Sequence, residues 1–320
     1  MKALQGVDGH VEWVEAERPT CDAGQVRIRV AAAGLNRADL LQRAGLYPPP
    51  PGASPYLGLE CSGVIEEVGA GADWRVGDRV CALLAGGGMA EEVVVDARHV
   101  LPVPEGLSLH EAAAIPEVYA TAWLNIFQLG GLKAGEKVLV HAGASGVGSA
   151  AIQLCKAFGN PVWVSVGSAE RLSYCQDLGA AGGVVRNENL DDLKGLAPFD
   201  VILDPVGAGY GSLNLELLAR DGRWVIIGLM GGRKVELDLA VVLGKRLQVT
   251  GSTLRNRDDG FKAELLQELA QQVWPLFTEG RLKAQLVDTY PVAFAEAAYA
   301  ELASNQVSGK LVLVIDQSLV

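Results

Sequence analysis

From about residue 119 the chain alternates short apolar runs with amphipathic ones, and that alternation restricts the fold more than any other feature. VLVHAG, VWVSVG, FDVILD and RWVIIG have too few polar residues to turn one face to solvent, so each reads as a strand covered on both sides. Between them lie SAAIQLCKAFGN, stopped by Gly159-Asn160-Pro161, AERLSYCQDLG, with glycine just past its end, and YGSLNLELLARDG. All three read as helices. Buried strands alternating with helices make a parallel sheet with helices on both faces, so the expected fold class is α/β with a Rossmann-type doubly wound domain.

The preceding part has a different texture. QVRIRVAAAGL, CSGVIEEVGAG, GDRVCALL and MAEEVVVD are short, glycine-punctuated runs with strand character. After RLQVTGS, a further strand, come a long helix near KAELLQELAQQVWPLF, a strand LVDTYPV, a helix FAEAAYAELAS and a closing strand GKLVLVI. That last strand is most simply returned to the first domain. The expected organisation is therefore a discontinuous β-rich domain, 1–118 and 257–320, around a nucleotide-binding domain, 119–256. A chain of 320 residues is long for one core, which agrees with two.

Composition excludes several function classes. A net charge of −11 argues against nucleic acid or an anionic membrane surface as partner. No apolar run reaches membrane-spanning length, and MKALQGVDGH lacks the apolar core of a signal peptide. The five cysteines are odd in number and scattered without a C-x-x-C pair, as expected of reduced thiols in a cytoplasmic protein.

HAGASGVGSAA, residues 141–151, follows one of the apolar strands and opens a helix, the setting a dinucleotide fingerprint requires. The pattern is imperfect, because Ser145 stands where the second glycine belongs, between Gly143 and Gly148. Ala144, Ser145, Gly146, Val147 and Gly148 are the expected phosphate cradle, where helix N–H groups and the helix dipole meet the anion. At the end of the next strand an NAD-specific site places a carboxylate for the ribose hydroxyls. Here Gly167 and Ser168 occupy that place, with Arg171 one turn on and Arg186 after the following strand. That arrangement favours a 2′-phosphate and hence NADPH, while Glu170 keeps NADH in play. Solvated surface charge is the alternative reading of both arginines. His141 reads as a structural histidine.

The motifs LNRADLLQRAGLYPPPPGAS, LGLECSGVIEEVG, the GVGSAAIQL helix and DGRWVIIGLMGG cover nearly the whole chain at one spacing. With them the sequence resembles the zinc-independent, zeta-crystallin-like quinone oxidoreductases of the medium-chain dehydrogenase/reductase superfamily, nearest the p53-inducible quinone oxidoreductase-like branch. The resemblance implies a GroES-like catalytic domain wrapped around the Rossmann domain, and a homodimer formed through the Rossmann sheet edge. Where the superfamily's alcohol dehydrogenases carry zinc ligands, this chain has Asn36, Leu59 and Glu117, with Glu60 retained, and the four-cysteine structural lobe is missing. One amide and one carboxylate do not make a zinc site, so no metal is expected.

The resemblance also implies NADPH as cofactor, a quinone as acceptor, and Asn36, Asp39 and Tyr47 as catalytic residues. Asn36 and Asp39 alone read equally well as turn chemistry, and Tyr47 as packing before the prolines. Thr121 matches a family threonine near the nicotinamide. Gly228 and Met230, in GLMGG, would let a cofactor approach the backbone, and Arg255, in STLRNR, would close over it. A quinone accepts hydride to leave a phenolate-like oxyanion, whose conjugate acid has a pKa of about 10, so water can protonate it and a Lewis acid is dispensable. Two alternatives stand beside this expectation: an NADPH-dependent reductase of enones or enoyl compounds, and a non-catalytic NADPH-binding redox sensor or structural protein.

Overall fold

The computed structural model describes residues 1–186 and 190–319. It divides into two compact units, Met1–Ala120 with Leu254–Val320, and Thr121–Thr253.

The first unit begins with a hairpin that sequence reading passed over, β1 (Lys2–Val7) and β2 (His10–Glu15). Its turn is Asp8-Gly9, both at positive φ, the pairing a tight hairpin requires. β3 (Gln25–Gly34), β4 (Glu60–Val68), β5 (Arg79–Leu83) and β7 (Val100–Pro102) form consecutive antiparallel pairs in the order β3-β4-β5-β7, and β6 (Glu92–Asp96) pairs with β3. Val26, Ile28 and Val30 of β3 point into one apolar core with Cys61, Ile65, Val80 and Ala82. That period of two is the reason the segment pairs as a half-buried strand.

The second unit is a six-stranded parallel sheet: β8 (Val138–His141), β9 (Val162–Val166), β10 (Gly182–Val185), β11 (Phe199–Asp204), β12 (Leu218–Ile226) and β13 (Gln248–Gly251). The spatial order is β10-β9-β8-β11-β12-β13. Chain order therefore reverses between β8 and β11, and this switch point is where open α/β sheets bind ligands, beyond the carboxyl ends of their strands. The doubly wound expectation is met here. One detail differs: YGSLNLELLARDG is not one helix. The helix stops at Leu217, and Leu218 onwards is already β12, because the shift of register between Phe199 and Val201 lets the strand begin early beside β11.

The chain then returns to the first unit. Helix Asp259–Gln272 is separated from Trp274–Thr278, so KAELLQELAQQVWPLF is two helices. Pro275 sits in the first turn of the second, where it cannot continue the ladder of the first. β14 (Leu286–Pro291) pairs with β15 (Lys310–Val314), and β15 with β3. All five residues of β15 are buried, Lys310 among them.

Candidate functional site

In the second unit the candidate cofactor residues gather at the carboxyl ends of adjacent strands. Ala142, at positive φ, ends β8 and turns the chain into Ser145, the N-cap of helix Gly146–Ala157. The Ser145 hydroxyl oxygen accepts the Gly148 N–H at 3.1 Å, which leaves its own proton free for an acceptor outside the loop. Ala144 is buried, Gly146 and Val147 are half-buried and Ser145 is exposed. A Cβ on Gly148 would lie 2.4 Å from the Gly143 carbonyl oxygen, so only glycine allows the helix this close to the strand end. The serine in the fingerprint therefore caps the helix, while the glycine with a steric duty is kept.

At the end of β9, Ser168 caps helix Ala169–Leu178. A Cβ on Gly167 would be 3.0 Å from Nη1 of Arg171 and 4.0 Å from Nη2 of Arg186. Two guanidinium groups thus converge on the backbone where an NAD site carries its carboxylate. Burial, and then the Arg186 charge beside it, hold Arg171 below the usual arginine value. Glu170 does not neutralise the pair: its carboxylate accepts from Ser168 and stays below the ordinary range for that reason. Further along, Gly228 lies so close to the loop after β11 that a Cβ would sit 2.7 Å from the Pro205 carbonyl. The Met230 N–H donates to that same carbonyl at 3.2 Å and its side chain is exposed.

Behind this edge runs a buried polar chain. Asp204 accepts the Val206 and Gly207 N–H groups on Oδ1, and Asn214 and Trp224 on Oδ2. Asn214 Nδ2 being a donor there, its Oδ1 must accept from His141 Nε2 at 2.8 Å, and Nδ1 then accepts the Ser165 hydroxyl at 2.7 Å. His141 is a structural histidine, buried and satisfied on both nitrogens. Thr121 is buried; its carbonyl accepts Asn125 Nδ2 at 2.7 Å, just before the π-helical turn Leu124–Leu129. It is mid-helix and caps nothing.

In the first unit Asn36 lies two residues past β3 as the N-cap of helix Arg37–Arg43, and is only 8% exposed. Its Nδ2 donates to Glu60 Oε1 at 2.9 Å and to the Gly34 carbonyl at 3.3 Å; its Oδ1 accepts from Lys310 Nζ at 2.7 Å. Both amide hydrogens are therefore taken within this unit. What remains is the second lone pair of Oδ1, an acceptor. Asp39 is fully buried. Its Oδ2 accepts the Asn36 N–H at 2.8 Å and Oδ1 faces the Gly58 N–H at 3.4 Å, so it positions the start of the helix. Burial raises its pKa to about 6 against the pull of the Asn36 hydrogen bond and the Lys310 charge.

Tyr47 is half-buried, and its hydroxyl makes no hydrogen bond among the described residues. Burial pushes its pKa up, outweighing the opposing charge of Arg255, so the phenol stays protonated at neutral pH. Arg255 belongs to this unit. It donates to Ala85 O at 2.8 Å, Tyr47 O at 3.2 Å and Gln42 Oε1 at 2.7 Å, with its guanidinium 5.2 Å from the Tyr47 ring centroid. Its donors hold the Tyr47 loop, a duty that sequence reading missed. A groove of about 1100 Å³ on this unit has Arg255 in its wall but neither Asn36 nor Tyr47.

The residues at the zinc positions do not fit a zinc ion. Leu59 is a buried hydrocarbon, the Asn36 Oδ1 already accepts from the Lys310 ammonium, and Glu60 has Lys310 on Oε1 and the Glu117 N–H on Oε2 at 2.9 Å. Among the described residues no group of three or more His, Cys, Asp or Glu is placed to hold a metal.

Residues 22–105 match the alcohol dehydrogenase GroES-like domain family and 146–271 the zinc-binding dehydrogenase family. A solved NAD-dependent alcohol dehydrogenase is 30% identical, covers 99% of this chain and is covered over its whole length, with a TM-score of 0.85. The chain belongs to the medium-chain dehydrogenase/reductase superfamily. Within that superfamily it is similar to the quinone oxidoreductase of Escherichia coli solved with NADPH (26% identical, 98% of this chain and 99% of that one, TM-score 0.87). The CurK enoyl reductase is as near, at 28% identity over 98% and 99%, with a TM-score of 0.84. Among curated proteins, the synaptic vesicle membrane protein VAT-1 homolog of Danio rerio is 32% identical over 95% of this chain, which spans 66% of that relative's length. No described helix is long and apolar enough to cross a membrane.

Proposed function

We propose that this chain is an NADPH-dependent quinone oxidoreductase working without metal, of the p53-inducible quinone oxidoreductase-like branch. The observation that carries the cofactor choice is the convergence of Arg171 and Arg186 on Gly167, where no carboxylate stands. Bound there, the cofactor supplies a hydride. The protein's own residues do the rest. Ser145 and the first-turn N–H groups of helix Gly146–Ala157 would hold the pyrophosphate, and the two arginines would take the 2′-phosphate as a charge-assisted pair.

In the first unit, Asn36 offers an acceptor oxygen and Tyr47 a phenol proton, which Arg255 and Gln42 hold in place. The product oxyanion of a quinone, with a conjugate acid near about 10, needs neither a metal nor a strong acid. Alignment of donor and acceptor supplies most of the rate. The enone reading keeps one specific support, the unpartnered Tyr47 hydroxyl, since an enolate carbon requires a positioned proton.

The experiment is NADPH oxidation against a quinone panel and an enone panel. Turnover of quinones supports the proposal. Turnover of enones alone, with loss in Tyr47→Phe, moves the assignment to the second reading. Saturable NADPH binding without turnover on either panel makes the chain a sensor. As quaternary partner we place a second copy on the edge strand β13, beside which Leu239 and Leu243 are 73% and 80% exposed and Val249 is 40% exposed.

A further inference from the structure

Two arginines placed on one short stretch of backbone repel each other. Arg171 is half-buried, but Arg186 is exposed, on a stem long enough to swing into water and away from its neighbour. Its guanidinium nevertheless stays beside Gly167, with Nη2 4.0 Å from where a Cβ on that residue would stand. Tyr210 holds it there: the phenol oxygen accepts a hydrogen bond from the Arg186 guanidinium.

The tyrosine is itself held. It ends the turn Gly207–Tyr210 in the loop after β11 and is half-buried. Its ring lies 4.7 Å from the His141 ring, tilted by 56°. His141 cannot yield, because Ser165 and Asn214 occupy both of its nitrogens and Asp204 anchors Asn214. Asp204 also takes the Val206 and Gly207 N–H groups. The loop that carries Tyr210 and the histidine that backs it are therefore tied to one carboxylate, and the buried polar chain ends on an accessible phenol.

Topology says where the two side chains meet. Arg186 follows β10 and Tyr210 follows β11, three places apart in the order β10-β9-β8-β11. Three strand spacings are about 14 Å. The pair closes that distance over the carboxyl ends of β9 and β8, beside Gly167 of the one and His141 of the other. That is the crevice at the switch point, and every residue of the arrangement belongs to the second unit.

We infer that Tyr210 is a positioning residue: braced on His141, it holds Arg186 against the repulsion of Arg171 and keeps the two-arginine site assembled for a ribose 2′-phosphate. An assembled site has less ordering left to do when the anion binds. The inference rests on the reading of that site as the one that selects NADPH.

The probes are 2′,5′-ADP and 5′-ADP, which differ only by the 2′-phosphate. Each is titrated calorimetrically into wild type, Tyr210→Phe, Arg186→Ala and the double variant. Phenylalanine keeps the ring against His141 and removes the hydroxyl alone. Comparing two probes on one protein also cancels any change in its folded fraction. Wild type should prefer 2′,5′-ADP. In Tyr210→Phe that preference should fall about three- to tenfold, the weight of one hydrogen bond, with 5′-ADP binding unchanged. In the Arg186→Ala background the same substitution should change nothing, because the residue through which it acts is gone.

An unchanged preference in Tyr210→Phe overturns the inference, and so do equal losses for both probes, the mark of a merely structural tyrosine. A loss of the same size with and without Arg186 overturns it too, since the hydroxyl would then act on its own. A wild type that binds the two probes alike refutes the NADPH reading instead, which keeps the two failures apart.

Discussion

Replacing Asp39 with asparagine should change how the stability of this protein depends on pH, in a direction opposite to the usual surface carboxylate. Asp39 is fully buried and its pKa is raised from 3.8 to about 6, chiefly by burial. A folded-state pKa above the unfolded one means that the folded protein binds the proton more tightly. The stabilisation from that proton is complete below pH 3.8 and is lost as pH rises through about 6. The full span corresponds to about 3 kcal/mol, of which about 1.4 kcal/mol disappears between pH 5 and pH 8. Asparagine keeps the shape and cannot ionise. It retains one acceptor for the Asn36 and Gly58 N–H groups and turns an NH2 toward the other, at a cost of about 1–3 kcal/mol that does not vary with pH. Denaturant unfolding of both proteins at pH 5, 6, 7 and 8 measures the gap. It should shift by about 1.4 kcal/mol in favour of Asp39→Asn as pH rises. A gap constant across that range would refute the assignment of a raised pKa to this carboxyl.

Other outcomes follow from the geometry. Arg171→Ala and Arg186→Ala should each weaken NADPH binding about 10- to 100-fold in fluorescence titrations while leaving NADH nearly untouched, the loss of one charge-assisted hydrogen bond; equal losses for both cofactors would show that the pair does not read the 2′-phosphate. Gly148→Ala drives a Cβ to 2.4 Å from a backbone oxygen and should cost about 1–3 kcal/mol, seen as a lower midpoint in thermal unfolding together with weaker NADPH binding. Leu243→Asp with Val249→Lys should convert a dimer to a monomer in sedimentation without changing the far-ultraviolet dichroism, and an unchanged mass would remove β13 as the contact.

Local pattern made much of this molecule legible. The strands of the second unit are apolar runs bounded by glycine, and the cradle around Ser145 obeys rules that span a dozen residues. The two arginines were readable because a missing carboxylate at Gly167 and Ser168 is itself a signal. The network around Asn36 was not. Lys310 and Glu60 are 250 residues apart, and no periodicity connects them; the one available hint was a lysine opening GKLVLVI, an otherwise uninterrupted apolar strand. The partners of Asn36 and Asp39 were hidden for the same reason, since which hydrogens are already taken depends on neighbours brought in by folding. Arg255 looked like a loop arginine and is a strut for Tyr47, again through partners more than 160 residues away.

The antiparallel join of β15 to β3 also orders events during synthesis. Lys310 meets the Leu35 carbonyl across 275 residues, with the whole second unit in between. A ribosome adding about 5–20 residues per second needs some tens of seconds to cover that distance. The second unit, continuous from Thr121 to Thr253, can fold as soon as it emerges, whereas the first must wait with an open sheet edge and with Glu60 lacking its counter-charge. Nascent chains stalled before β15 are therefore where chaperone engagement should concentrate.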